Sequence, residues 1–124
     1  MNLRALHAAT AGVFAASLVA QVFLAGLAIP QLGGNGSFAT HRDFGYLIGL
    51  ITLLVLVTAV IARMARRRIA QSAGLLALYV VQSSLPYMGI GVIEALHPVN
   101  AVVMFVAAAW YARTVWNERM PATT

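Results

Sequence analysis

The chain has 124 residues, 61% of them hydrophobic and only 9% charged. A soluble domain carries about 25% charged residues, so this composition excludes a water-soluble globule and leaves one compact domain with lipid as its solvent. The net charge of +5 comes from eight basic residues, all arginine and grouped at the ends of apolar runs; this placement marks membrane topology and argues against a nucleic-acid partner. Cysteine is absent, which excludes disulfides, iron–sulfur clusters and thiolate ligands. Arginine without lysine, with abundant alanine, points to a GC-rich bacterial genome.

A membrane-crossing helix needs about 20 mostly apolar residues. The first such stretch covers residues 6–29 and stops at Pro30. It is longer than the apolar region of a secretory signal, so it reads as a retained helix. The loop Gln31-Leu-Gly-Gly-Asn-Gly-Ser37 follows. It has neither the spacing nor the preceding strand of a phosphate-binding loop. The second stretch covers residues 44–62. The third covers residues 69–85, where Pro86 ends it. The fourth covers residues 99–115. Lipid tolerates no open strand, so all four read as helices. The expected fold is an all-α integral membrane protein, residues 1–124 forming one up-down-up-down four-helix bundle.

Seven arginines fall on one side of this arrangement: Arg4, Arg63, Arg66, Arg67, Arg68, Arg113 and Arg119. Only Arg42 falls on the other. Positive loops stay in the cytoplasm, so both termini are expected inside and residues 30–43 and 86–98 outside, in a bacterial inner membrane. The run at 66–68 reads as a topology anchor, with anionic-lipid binding as the lesser reading. Trp110, Tyr111 and Trp116 at one end, and Phe38, Phe44, Tyr46 and Tyr87 at the other, read as interfacial belts.

The chain holds three histidines, and two of them stand at matching places. His41 opens the second stretch and His97 the fourth. A weak repeat encloses them: Gln21, Pro30, a glycine-bearing loop and His41, then Gln82, Pro86, Gly89, Gly91 and His97. Helices two and four lie on the diagonal of the expected bundle. Neighbouring axes sit about 8–10 Å apart, so the diagonal is roughly 11–14 Å. That gap suits a flat macrocycle between two inward imidazoles, with His41 and His97 as metal ligands of a haem. Gly45 and Gly49 follow His41 on its face, and Ala101 and Phe105 follow His97; the small residues give a ring room. Gly45 and Gly49 equally form a small-xxx-small helix-packing motif. Arg42 suits a haem propionate, or it pairs with Asp43 or Glu94. Glu94 orients an imidazole or is a loop carboxylate. Gln21 and Gln82 are amides in lipid that need partners; bridging helices one and three is the favoured reading, and a contact behind the ligands is the other. His7 reads as interfacial and structural. Ser17, Thr52, Thr58, Ser83 and Ser84 read as bonded back to their own helices.

The run Gln21-Val-Phe-Leu-Ala-Gly26, the outer loop, His41-Arg42 with Gly45, and His97 opening the last stretch resemble the heme A synthase family. The resemblance covers nearly all of the chain and corresponds to one four-helix half of that family. It implies His41 and His97 as axial ligands of a b-type haem. The family's catalytic half carries a glutamate three residues before its first histidine, where this chain has Phe38. The resemblance therefore implies a half that holds haem as cofactor, not an enzyme that modifies haem by itself.

The leading expectation is a haem b-binding membrane protein serving electron transfer or haem handling, with a redox partner or membrane complex beside the lipid bilayer, and a homodimer as a further possibility. The rival is a structural subunit or assembly factor without haem. A transporter is a weaker third reading, because no charged residue lies deep in any span.

Overall fold

The computed structural model describes residues 2–119, and every regular element among them is helical. Helix α1 spans Leu3–Ala28. The Asn2 side chain starts it by accepting the backbone N–H groups of Arg4 and Ala5 at 3.1 and 3.2 Å, two donors that the first turn cannot pair by itself. Pro30 forces extended backbone on Ile29 (ψ 114°) and so ends the helix. The glycine-rich loop then folds back onto the helix end. Gly34, Asn35 and Gly36 donate their N–H groups to the carbonyls of Ile29, Leu27 and Ala28. Any Cβ on Gly34 would lie 2.5 Å from the Leu27 oxygen. The glycines therefore serve the closure of α1.

Helix α2 spans Ala39–Ile61. It starts five residues before the apolar stretch, so His41 and Arg42 belong to its first turn rather than to a loop. Arg63 closes it in the left-handed region at φ 49°, and Met64 N–H reaches back to the Ala59 carbonyl at 3.0 Å. Helix α3 spans Arg66–Ser84, and Pro86 sits in the short 3-10 turn Leu85–Tyr87 that follows. A single turn, α4 (Gly91–Glu94), leads into α5 (Leu96–Asn117). Helix α5 also starts before its apolar stretch and takes in His97. Pro98 falls in its first turn, where a missing N–H breaks no helical bond.

Three helical segments are long and apolar enough to cross a membrane: Leu3–Ala28, Ala39–Ile61 and Gly91–Asn117. The sequence gives reason to expect four. Helix α3 is the one that differs. Its first turn is Arg66-Arg67-Arg68, and Gln71, Ser72, Gln82, Ser83 and Ser84 further dilute its apolar surface. Outward-facing Val19, Val22, Phe23, Leu50, Leu54, Val102 and Val106 are all exposed. An apolar exterior of this extent marks a membrane protein surrounded by lipid.

Helix α1 packs on α2 and α5, and α3 packs on the same two. Ala8, Ala11, Ala59 and Ala108 are buried along these contacts, and such small residues let helix backbones approach closely. Phe14, Ile48, Val55 and Val115 fill the core between them. The Ser and Thr hydroxyls return to their own helices, as Thr52 does to the Ile48 carbonyl at 2.7 Å.

At the arginine-rich end, His7 on α1 is fully buried. This corrects the expectation of an interfacial histidine. Thr58 on α2 spends its hydrogen on the Leu54 carbonyl at 2.7 Å, so the His7 Nδ1–H donates to Thr58 Oγ1 at 3.0 Å. The Tyr111 hydroxyl of α5 is then shared between His7 Nε2 at 2.9 Å and the Arg68 carbonyl of α3 at 3.1 Å. Four helices are thus joined by one network, three of them directly through the imidazole and its partners and α3 through the Tyr111 hydroxyl. Tyr111 is 1% exposed, so it belongs to this interior and not to an aromatic belt. Trp110 and Trp116 remain at the surface.

Candidate functional site

The opposite end carries the other two histidines, each in the first turn of its helix and each held by a glutamine of the preceding long helix. His41 Nδ1–H donates to the Gln21 backbone carbonyl at 3.1 Å. His97 Nδ1–H donates to the Gln82 backbone carbonyl at 3.0 Å. A carbonyl can only accept, so both rings carry their proton on Nδ1 and keep a bare lone pair on Nε2. The glutamine side chains approach those lone pairs: Gln21 Nε2 lies 3.3 Å from His41 Nε2, and Gln82 Nε2 lies 3.1 Å from His97 Nε2. The weak sequence repeat is thus a repeated hydrogen-bond pattern. It also decides the roles of the two amides. They do not bridge α1 to α3; each amide faces the Nε2 lone pair of the histidine in its own hairpin.

The His41 and His97 rings stand edge to face with centroids 6.3 Å apart and planes at 69°. Metal–imidazole bonds are about 2 Å long, so two imidazoles sharing one metal place their centroids roughly 6 Å apart. An Nδ1–H bonded to a backbone carbonyl is also the usual support behind a ligating imidazole. As the side chains stand, each Nε2 lone pair is met by a glutamine amide and not by open space. Among the described residues, no group of three or more His, Cys, Asp or Glu side chains could hold a metal by itself.

The surrounding residues divide by what they touch. Gly45 faces the Gln21 amide, and a Cβ on Gly49 would lie 2.6 Å from the Tyr79 ring. The Tyr79 hydroxyl donates to the Gly45 carbonyl at 3.1 Å. The room beside the two glycines is therefore taken by Gln21 and Tyr79, the groups that a macrocycle entering on that side would displace. Ala101 is half-buried one turn beyond His97. Phe38 packs edge-on against His41 with centroids 6.0 Å apart, so an apolar ring stands beside the imidazole. Arg42 lies 3.5 Å from Asp43, both well exposed. Glu94 accepts the Gly89 N–H at 3.1 Å and holds the turn before α4.

Sequence reasoning missed Asn100 and Tyr79. Asn100 Nδ2 donates to the Leu78 carbonyl at 3.1 Å and to Gln82 Oε1 at 2.8 Å. Its signal was available: it is the residue three places after His97, and a polar amide in an apolar stretch needs partners. Phe44 holds the same place after His41. Also missed was the ion pair at the far end. Arg68 Nε donates to Glu118 Oε2 at 3.0 Å, and its Nη1 donates to Gln71 Oε1 at 2.8 Å. That guanidinium holds the Glu118 carboxyl below the usual glutamate range. Arg68 thus has a structural partner beyond any role in topology.

A family profile described as a family of unknown function, DUF6220, matches residues 21–89. The match starts at Gln21, takes in His41, Tyr79 and Gln82, and ends before His97. It covers more than half of the chain. No curated protein and no solved structure matches.

Proposed function

We propose that this chain, which belongs to the DUF6220 family of unknown function, is a haem-binding membrane protein with His41 and His97 as the two axial ligands. The observation that carries the proposal is the pair of Nδ1–H clamps. Both rings are held as the tautomer that leaves Nε2 unprotonated, each lone pair facing a glutamine amide that a bound group would have to displace, and their centroids lie 6.3 Å apart. A bound haem b would supply one-electron chemistry, and two histidine ligands leave no open coordination position, which favours electron transfer or haem holding over oxygen chemistry. The likeness of Gln21–Gly26, His41-Arg42 and His97 to one half of the heme A synthase family supports the same reading. Phe38 beside His41 supports a holder rather than a modifying enzyme.

The proposal includes a topology. Helices α1, α2, α3 and α5 cross the bilayer as an up-down-up-down bundle with both termini in the cytoplasm. Helix α3 is the fourth crossing, since its 19 residues reach about 28 Å at 1.5 Å per residue. The arginines near α2, α3 and α5 set the cytoplasmic side. The histidine pair then lies toward the outer face of a bacterial inner membrane, where Arg42 is the available cation for a propionate.

The test is the visible spectrum of the full chain purified in detergent, oxidised and dithionite-reduced, before and after added hemin. A Soret band with sharp reduced α and β bands is expected. A protein that stays colourless after hemin addition refutes the proposal.

A further inference from the structure

The arginine-rich end of the bundle carries a hollow that the histidine pair does not use. Helices α3 and α5 run antiparallel, and the Arg68–Glu118 pair ties the start of one to the end of the other. Between them lies an open hollow of about 330 Å³, walled by Gln71, Gly74 and Leu78 on α3 and by Ala107 and Trp110 on α5. A second hollow of about 460 Å³ shares Ala107 and Trp110 and continues along α5 past Val106 to Val102. Gly74 keeps the α3 wall low, since a Cβ there would meet nothing within 4 Å. The two hollows form one apolar trough.

Donors gather at its arginine-rich mouth. Arg67 lies one turn before Gln71 on α3, and Arg113 lies one turn beyond Trp110 on α5. Both are exposed, and among the described residues neither has an ion-pair partner. Gln71 turns its Oε1 to Arg68 Nη1 at 2.8 Å, which leaves its amide hydrogens for another acceptor. Glu118, the acidic residue at this end, is taken by Arg68; Asp43 and Glu94 lie near the histidines. Two guanidinium groups and an amide thus stand as donors at the head of an apolar trough.

We propose that this trough holds one anionic glycerophospholipid, its phosphate at Arg67, Arg113 and Gln71 and an acyl chain along Gly74, Ala107 and Val102. Basic pockets between membrane helices take such headgroups, and guanidinium groups match phosphate oxygens. A zwitterionic headgroup would bring its own cation toward the two arginines, so a net anion is preferred. The length agrees: from Arg113 to Val102 the helix rises roughly 17 Å, and one leaflet's hydrocarbon is about half of 30 Å deep. The site stands apart from the histidine pair and does not depend on the haem reading.

Trp110 reports on the trough directly. It is one of two tryptophans, and Trp116→Phe leaves it alone. The full chain with that change is placed in mixed vesicles of phosphatidylcholine and phosphatidylglycerol, one or the other brominated on its acyl chains. Quenching of Trp110 then gives the relative affinity of the two lipids. Phosphatidylglycerol should be preferred about fivefold. Arg67→Gln and Arg113→Gln should each lower that preference at least about twofold, and together bring it near equality. Gly74→Leu should weaken quenching by the brominated phosphatidylglycerol, because it fills the trough and spares the arginines. Arg4→Gln removes the same charge from α1, which does not pack on α3, and should leave the preference as it was. Equal quenching by the two lipids, or undiminished quenching in Gly74→Leu, means ordinary lipid contact and overturns the proposal. A loss in Arg4→Gln as large as in Arg67→Gln means a general attraction of the basic end and overturns it too.

Discussion

His7 and Tyr111 stand 104 positions apart in the sequence and meet at 2.9 Å with both side chains buried. The bond joins α1 to α5, and through Thr58 and the Arg68 carbonyl it reaches α2 and α3. Removing the phenol oxygen leaves a buried imidazole nitrogen and a carbonyl short of a donor, a loss of about 1–3 kcal/mol. Tyr111→Phe should therefore unfold at a lower temperature in detergent, and Tyr111→Ala should fall further by adding a cavity. Thermal unfolding followed by circular dichroism decides this. An unchanged midpoint for Tyr111→Phe would mean that the network contributes nothing.

The Arg68–Glu118 pair gives stability a dependence on acid. Arg68 donates to both Glu118 oxygens and holds the carboxyl below its ordinary value of 4.5. A carboxyl with a lowered folded value contributes in full above the unfolded value and loses that contribution as pH falls through the folded one. The decline therefore begins near pH 4.5 and continues below it. Glu118 is 40% exposed at its side chain, so the contribution is at most about 1 kcal/mol and shrinks with salt. Glu118→Gln should lower stability slightly at pH 7 and match the unaltered chain in strong acid. A difference that grows on acidification would contradict the pairing.

Glycine in a helix ordinarily gives way to alanine with a gain of up to about 1 kcal/mol. Gly74 has nothing within 4 Å of a built Cβ, so Gly74→Ala should stabilise α3. Gly49 should do the reverse. Its Cβ would enter the Tyr79 ring, which is tied to the Gly45 carbonyl, and overpacking of this kind costs about 1–3 kcal/mol. Unfolding midpoints of the two variants, taken side by side, should move in opposite directions. Equal shifts would deny that Gly49 exists to admit Tyr79.

The helices were legible because apolar length alone reveals a span, and Pro30 and Pro86 mark where two of them stop. The legible part of the site was the pair of histidines, since His41 and His97 share a place in the repeat. Other features depend on contacts that no local pattern encodes. Both histidines lie inside helices because α2 and α5 begin in polar residues that an apolar count leaves out. Tyr111 looks like a belt residue until His7, at the other end of the chain, is brought against it. Gln21 and Gln82 each needed only a partner, and the sequence could not say that the partner was a histidine of the same hairpin. The polarity of α3 was visible as letters, but its cost to a membrane span emerged only when the helix proved to begin at Arg66.

The clamps on His41 and His97 come from backbone carbonyls, not from the glutamine side chains. That distinction has a consequence that can be measured without any bound group. Gln21→Leu and Gln82→Leu remove the amides facing Nε2 and leave the carbonyls facing Nδ1 in place. Both rings should stay protonated on Nδ1, because the carbonyl they face can only accept. Nitrogen-15 NMR of histidine-labelled protein in detergent separates the two tautomers directly. The Nδ1–H form is expected for His41 and His97 in the unaltered chain and in both variants. The Nε2–H form in the unaltered chain would remove the Nε2 lone pairs on which ligation depends. A switch of tautomer in either variant would transfer the orienting role from the carbonyl to the side-chain amide.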